Sequence, residues 1–330
     1  MKAIRYETFG QADEVLQFAD LETPKAGPGQ VLVRLETSGV NPSDTKKRLG
    51  SFPDLLDNGY VTPHSDGAGI VEAVGSGVSE TRVGERVWIF NAQFARRFGT
   101  AAEYVAVDSR YAPALPEGTD FAIGACLGIP VMTAHRCVFA DGDVKGKTLL
   151  VTGGAGRVGY YAIQWASLAG ARVISTASNE ADEKTCLEAG ADIVVNHWSD
   201  DWPEDILRAT DGEKVDRVID VEFGTNLEKV LDVIRTGGVI ATYSSANDMQ
   251  PKLPFYRMMY MDLTIRLVIV YAMPDSAKEQ AIADIDVALS ANKLKHRIAE
   301  IVPLAECARA HEMIESGDIR GCVVLRCRDD

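Results

Sequence analysis

Hydrophobic and polar positions follow two different rhythms along this chain. In the N-terminal third the rhythm is short. Lys2–Glu7, Val15–Glu22, Gln30–Thr37, Gly69–Val74, Arg86–Phe90 and Ala102–Asp108 are brief strand-like runs parted by turn residues such as Gly27-Pro28-Gly29. That spacing predicts a mostly β module built on non-local pairings. Phe121 to Val138 then reads as a helix-rich junction. Beyond it, apolar strand patterns alternate with helical ones: Thr148–Val151, Ala171–Thr176, Asp192–Val195, Arg217–Asp220, Val239–Thr242 and Leu263–Val270 make six strands. Six strands separated by helical stretches predict an α/β architecture with a doubly wound parallel sheet. Ser276 to Asn292 reads as a helix, and Ile301-Val302-Pro303 and Val323-Val324-Leu325 as strands that return to the β module. The expected division is therefore 1–125, 126–273 and 274–330, with the first and last parts forming one discontinuous domain.

The junction between the first strand and first helix of the α/β part carries chemistry. Gly153-Gly154-Ala155-Gly156-Arg157-Val158-Gly159 follows the strand Thr148-Leu149-Leu150-Val151. Val158, Ala162, Ile163, Ala166 and Ala169 then recur at helical spacing until Gly170. Strand, glycine turn and helix in that order place backbone N–H groups and a helix N-terminus where a pyrophosphate sits. Glycines permit the tight turn and the close phosphate approach that a side chain would block.

Composition narrows the classes of partner. The formal charge of −14 over 330 residues argues against nucleic acid or an anionic membrane surface, since both reward basic patches. No apolar run approaches a membrane span, and Met1-Lys2-Ala3-Ile4-Arg5-Tyr6 reads as a strand rather than a signal peptide. The six cysteines are scattered, with no Cys-x-x-Cys pair, which suits free thiols in a reducing cytoplasm.

A series of further motifs resembles a known family. Gly39-Val40-Asn41-Pro42-Ser43-Asp44, Asp66-Gly67-Ala68-Gly69-Ile70-Val71-Glu72-Ala73-Val74-Gly75, Gly84-Glu85-Arg86-Val87, Ala102-Glu103-Tyr104 and Gly128-Ile129-Pro130-Val131-Met132-Thr133-Ala134 come in order before the glycine turn. Together they resemble the zinc-free quinone oxidoreductase branch of the medium-chain dehydrogenase/reductase superfamily, the group that includes zeta-crystallin. The resemblance covers nearly the whole chain. It implies a GroES-like β-rich domain, a Rossmann domain binding NADPH, and an active site in the cleft between them. It also implies that Asn41 and Thr133 lie near the nicotinamide, and that Tyr243-Ser244-Ser245 and Tyr271 line the path of the cofactor. His197, beyond the third Rossmann strand, falls where relatives often carry a histidine or an aromatic near the adenine ribose.

Residue types bear on both cofactor and metal. NAD enzymes usually place Asp or Glu at the end of the second strand to bind the ribose 2′-hydroxyl. Here the chain reads Ser175-Thr176-Ala177-Ser178-Asn179, with no acid until Glu180. Ser178 and its small neighbours leave room for a 2′-phosphate, and Lys184 is either its counter-charge or a solvated helix lysine. Arg157 stands where relatives have a small residue, and either covers the pyrophosphate or points to solvent. Zinc takes Cys, His or carboxylate ligands. The positions where zinc-using relatives place theirs offer no Cys around Asn41, and then Ser65 and Ile129. His64, one residue out of frame beside Pro63, reads as a loop histidine without sequence-adjacent partners. No metal is expected.

The expected chemistry is hydride transfer from NADPH to a small electrophilic acceptor, a quinone or an activated α,β-unsaturated carbonyl. Such acceptors need no Lewis acid. Relatives place tyrosines in the substrate cleft where this chain has Lys46 and Phe52, so Asn41 and Lys46 are the candidate catalytic residues. Lys46 either donates a hydrogen bond or is a surface lysine, and Lys47 reads as a surface lysine. Two other classes compete: an enoyl-thioester reductase, helped by Lys46, Lys47 and Arg48, and a non-enzymatic nucleotide-binding structural or RNA-associated protein. The long apolar last strand of the sheet predicts an exposed edge and a homodimer.

Overall fold

The computed structural model describes residues 1–328 and divides into two compact units. One comprises Met1–Ile129 together with the chain from Ile282 onward, and the other comprises Pro130–Ala281.

The first unit is built on strands. β1 (Lys2–Arg5) and β2 (Gln17–Asp20) form an antiparallel ribbon. β3 (Gln30–Val40), the longest strand, pairs antiparallel with β4 (Asp66–Val74) along one edge. Along its other edge it meets β6 (Tyr104–Asp108) and β14 (Cys322–Arg326), while β5 (Arg86–Ile89) adds to β4 and β13 (Ile298–Pro303) runs parallel to β14. Val31, Val33 and Leu35 alternate along β3 and are fully buried against Val71, Val87, Ile89, Val105 and Val107. Each such aliphatic side chain contributes roughly 1.5–3 kcal/mol by leaving water. Gly39 is small for a reason of packing, because a Cβ there would lie 2.1 Å from the Ala125 carbonyl oxygen.

The second unit is a six-stranded parallel sheet. β7 (Thr148–Val151), β8 (Arg172–Ala177) and β9 (Ile193–Asn196) extend one way; β10 (Val215–Asp220), β11 (Ile234–Thr242) and β12 (Thr264–Leu267) extend the other. The spatial order β12-β11-β10-β7-β8-β9 reverses between β7 and β10, which makes that point the switch of a Rossmann sheet. Leu150, Ile174, Val218 and Ile240 pack with Trp202, Leu227 and Val230 from the crossover helices in one buried cluster.

Two predicted elements come out differently, and the helix-rich junction from Phe121 to Val138 forms as expected, with a π turn inside it. Within the expected strand Val15–Glu22, Val15 closes a helical turn, Ala12–Val15, that buries Ala12 and Val15 three residues apart, and only Gln17–Asp20 is extended. Between Phe121 and Val138 the chain forms a short helix, Phe121–Gly124, a π turn, Leu127–Val131, and a second helix, Met132–Phe139. Pro130 has no N–H to continue an α ladder, so the helix widens there. The last strand ends at Leu267 rather than Val270. After the Val268 N–H bonds the Thr242 carbonyl, the chain turns into a 3₁₀ segment, Val270–Ala272, that buries Val270 and Tyr271.

Candidate nucleotide-binding and acceptor residues

In the second unit the glycine turn leaves β7 at the switch point. Gly153 takes φ +60°, a left-handed value that disfavours most side chains. The Gly153 N–H donates to Thr176 Oγ1 at 2.9 Å and the Gly154 N–H to the Thr176 carbonyl at 3.2 Å, so the end of β8 holds the turn shut. A Cβ on Gly154 would lie 2.0 Å from Ser175 Oγ, and one on Gly159 would lie 2.5 Å from the Gly153 carbonyl. The helix Arg157–Leu168, N-capped by Gly156, therefore starts directly against the turn. N–H groups in the first turn of a helix have no acceptor within it, and the helix dipole makes that end positive. Gly153 through Gly159 thus form a cradle suited to an anion, with Ala155 buried inside it and Arg157 half-buried at the first helical position.

The neighbouring strand ends carry the other candidates. Ser178 is half-buried, and Asn179 caps the helix Glu180–Ala189 by accepting from the Asp182 N–H at 2.9 Å. The His197 N–H donates to the Ala177 carbonyl at 3.1 Å, which brings His197 to the end of β8, where its ring lies tilted against that of Trp198. Lys184 is exposed, with its ammonium 3.9 Å from Glu188. Tyr243 follows β11, its N–H on the Asp220 carbonyl. The Ser244 carbonyl accepts from the Phe223 N–H, and Ser245 Oγ accepts from the Gly224 N–H and donates to the Asp248 carbonyl. Both serines are therefore occupied in fixing a loop on the helix Phe223–Val233. Thr133 is buried on Met132–Phe139, and Tyr271 is buried in its 3₁₀ turn. A polar knot not foreseen from the sequence joins β7 to β10. Thr152 Oγ1 donates to Asp220 Oδ1 at 2.6 Å, and Asn226 Nδ2 donates to the same oxygen at 2.8 Å. Burial raises the Asp220 carboxyl, and these two bonds oppose the rise. Its only sequence signal is a polar residue ending each of two apolar strands.

In the first unit Asn41 is buried and caps the helix Pro42–Arg48, its own N–H held by Asp44 Oδ2 at 2.9 Å. Asn41 Nδ2 donates to Asp66 Oδ2 at 2.9 Å, and the Ile129 N–H donates to the same oxygen at 2.7 Å. Burial holds the Asp66 carboxyl well above the usual carboxylate range. Gly128 is required beside it, since a Cβ there would lie 2.1 Å from Asp66 Oδ1.

Lys47 departs from its expected place, and Lys46 takes the surface alternative of its two. Lys46 is exposed, whereas Lys47 is buried, donating to the Gln93 carbonyl at 2.9 Å and to Ser65 Oγ at 3.2 Å. Burial lowers the Lys47 ammonium, and Asp44 and Asp66 counter that fall. Lys47 also lines a cavity of about 410 Å³ with Phe52, Leu55, Phe94, Arg96 and Arg97. A second cavity of about 540 Å³, beside Leu21, Tyr60 and Tyr104, contains none of the expected site residues.

His64 lies in a loop before β4, as expected, but it is fully buried and has partners distant in sequence, 2.9 Å from His311 and 3.8 Å from Cys307. The family's catalytic zinc frame is a separate matter: Asn41, Ser65 and Ile129 present an amide, a hydroxyl and an alkyl chain there, a donor set that does not fit zinc.

Comparison with known proteins adds the following. Residues 27–117 match the alcohol dehydrogenase GroES-like domain, and residues 158–286 match the zinc-binding dehydrogenase family. The quinone oxidoreductase of Homo sapiens is 31% identical over 320 residues, covering 96% of this chain and 94% of the relative. The 2-methylene-furan-3-one reductase of Solanum lycopersicum is 31% identical over 251 residues, 74% of this chain and 63% of the relative. A mycobacterial protein solved in complex with NADPH superposes with a TM-score of 0.88 at 28% identity, over 99% of this chain and all of that one.

Proposed function

Because the chain belongs to the quinone oxidoreductase branch of the medium-chain dehydrogenase/reductase superfamily, we propose that it is an NADPH-dependent reductase of quinones or activated α,β-unsaturated carbonyls, working without catalytic zinc. The observation that carries this reading is the glycine cradle at the switch point of the sheet, closed by Thr176, with no carboxylate along β8 or at its end from Ser175 to Asn179. The cradle fits a pyrophosphate, and a strand end without an acid spares a 2′-phosphate the repulsion that a carboxylate would impose. When bound, NADPH supplies the hydride.

The residues of the chain bind, orient and exclude water. Gly153–Gly159 hold the pyrophosphate through backbone N–H groups, Ser178 and His197 flank the adenine ribose, and Thr133, Tyr243 and Tyr271 position the nicotinamide end. Asn41 is held in one orientation by Asp44 and Asp66, which suits a residue that presents a fixed polar group. Phe52, Phe94 and Leu55 give an apolar wall to the cavity on which Arg96 and Arg97 also open, and an electron-poor ring suits such a lining. With Lys47 and Arg48 buried in structural hydrogen bonds, the basic run Lys46-Lys47-Arg48 does not offer a path for a large anionic carrier, which disfavours the enoyl-thioester reading. All six cysteines are buried and none forms a disulfide, in keeping with a cytoplasmic enzyme. The exposed apolar edge at β12 supports a homodimer.

One assay series tests the reading. NADPH oxidation is followed with a simple benzoquinone, an enone and an enoyl thioester, and both cofactors are titrated by fluorescence. Turnover of the quinone or enone with tighter NADPH than NADH binding is expected. Tighter NADH binding, or turnover of the thioester alone, would sink it.

A further inference from the structure

Three side chains that play no part in that reading converge in the core of the first unit. His64 adopts φ +77°, a left-handed backbone that a non-glycine residue holds only when its surroundings compel it. Cys307 and His311 lie four residues apart on the helix Cys307–Glu315, the spacing at which two side chains share a face. All three are fully buried. His64 Nε2 lies 2.9 Å from His311 Nε2 and 3.8 Å from Cys307 Sγ, and the three ligand-type atoms fall within 4.8 Å of one another.

The hydrogen bonds behind His64 settle its proton. Thr100 Oγ1 donates to the Asp66 carbonyl at 2.5 Å, so the 2.8 Å contact between Ser38 and Thr100 takes its proton from Ser38. Ser38 Oγ then accepts from His64 Nδ1 at 2.9 Å. That leaves a lone pair on His64 Nε2, directed into the cluster. An imidazole whose Nδ1–H is fixed by an outer hydrogen bond is the arrangement that metal-binding histidines use.

We propose that His64, Cys307 and His311 form a binding site for a single copper(I) ion, held by the two Nε2 atoms and the Cys307 thiolate. Binding releases the thiol proton of Cys307 to solvent and moves the His311 proton from Nε2 to Nδ1; no electron changes hands. With metal–nitrogen bonds of about 2.0 Å and a trigonal angle, two imidazole nitrogens stand about 3.5 Å apart, so the ion enters by opening the present 2.9 Å contact by about 0.6 Å. Charge selects the metal. One thiolate neutralises copper(I), whereas zinc(II) would leave a net positive charge in a dry core, where Lys47 is already countered by Asp44 and Arg48 is paired with Glu315. Asp44 faces Cys307 with the opposite sign. Among the described residues the group holds three ligands, one short of a structural zinc set. A thiolate with two imidazoles suits the softer ion. Full burial keeps this site away from any acceptor, so its part is to fasten the C-terminal helix to the segment before β4.

The test uses the whole protein, produced without a metal-affinity tag in medium supplemented with copper or with zinc. One copper per chain is expected by elemental analysis, with X-ray absorption showing two nitrogens and one sulfur and a higher unfolding temperature than for protein made without copper. Cys307→Ser and His311→Gln should each lose the copper, and Cys186→Ser should keep it. Should either cluster variant misfold, the absorption spectrum of the wild-type protein still decides the matter. Wild-type protein without copper, copper retained by Cys307→Ser, a ligand set without sulfur, or zinc taken up in preference would each overturn the proposal.

Discussion

Gly154 shows how little space a single residue leaves at the cradle. Its missing Cβ would lie 2.0 Å from Ser175 Oγ and 2.6 Å from Ile163 Cδ1. Gly154→Ala must therefore displace either β8 or the helix Arg157–Leu168. The expected result is about a tenfold weaker NADPH affinity, equivalent to about 1.4 kcal/mol, with a similar loss of stability from overpacking. Fluorescence titration beside a urea melt measures both, and unchanged affinity would remove the turn from the cofactor site. Ser65 and Ile129 carry a second expectation at this scale. Because neither side chain can hold a catalytic zinc, NADPH turnover should survive exhaustive treatment with a zinc chelator. Loss of turnover that added zinc restores would refute zinc-independent chemistry.

Among the elements, β12 depends on a charged anchor. Arg266 Nε donates to Asp141 Oδ2 at 2.6 Å and its terminal nitrogen bonds the other carboxylate oxygen, tying the edge strand to the segment after the helix Met132–Phe139. The hydrogen bonds from Arg266 are the main cause that holds the Asp141 carboxyl below its usual range. A carboxylate with a depressed folded-state pKa contributes stability that is complete above its unfolded value, about 3.9, and is lost as the pH falls through the lower folded one. Asp141→Asn should accordingly cost about 2 kcal/mol at pH 7 and progressively less below pH 4. Urea denaturation of both proteins at the two ends of that range measures the difference. A cost that stays constant with pH would show that the ion pair is not its source.

On the scale of the whole molecule, the exposed face of the second unit points to assembly. Leu267 is 77% exposed and Ile269 51%, and Phe255, Tyr256 and Tyr260 from the helix before β12 are also exposed. An uncovered strand edge beside apolar side chains invites pairing with another copy. A twofold dimer is expected by light scattering at micromolar concentration, and replacing Ile265 and Leu267 by lysine should return it to monomer. A wild-type monomer, or a dimer that outlasts the double substitution, would rule out this edge as the interface. No helix among the described residues is long and apolar enough to cross a membrane.

Local rules made much of this protein readable from its amino acids alone. The strand, glycine turn and helix from Thr148 onward, and the β–α alternation after it, rest on periodicity and turn chemistry that act between near neighbours. The family followed from motifs short enough to recognise in order. What depended on tertiary structure involves contacts between distant residues or the choice of a buried face. His64 meets partners 243 and 247 positions away, beyond the reach of any spacing rule. That Lys47 rather than Lys46 turns inward was not legible, because the helix Pro42–Arg48 has only seven residues, too few for an apolar stripe to mark its inner side. Asp66 sits under Asn41 because β3 and β4 pair antiparallel with Gly39 opposite Asp66, a register that only the folded sheet defines. Periodicity decided which elements form; burial and register decided which polar atoms meet.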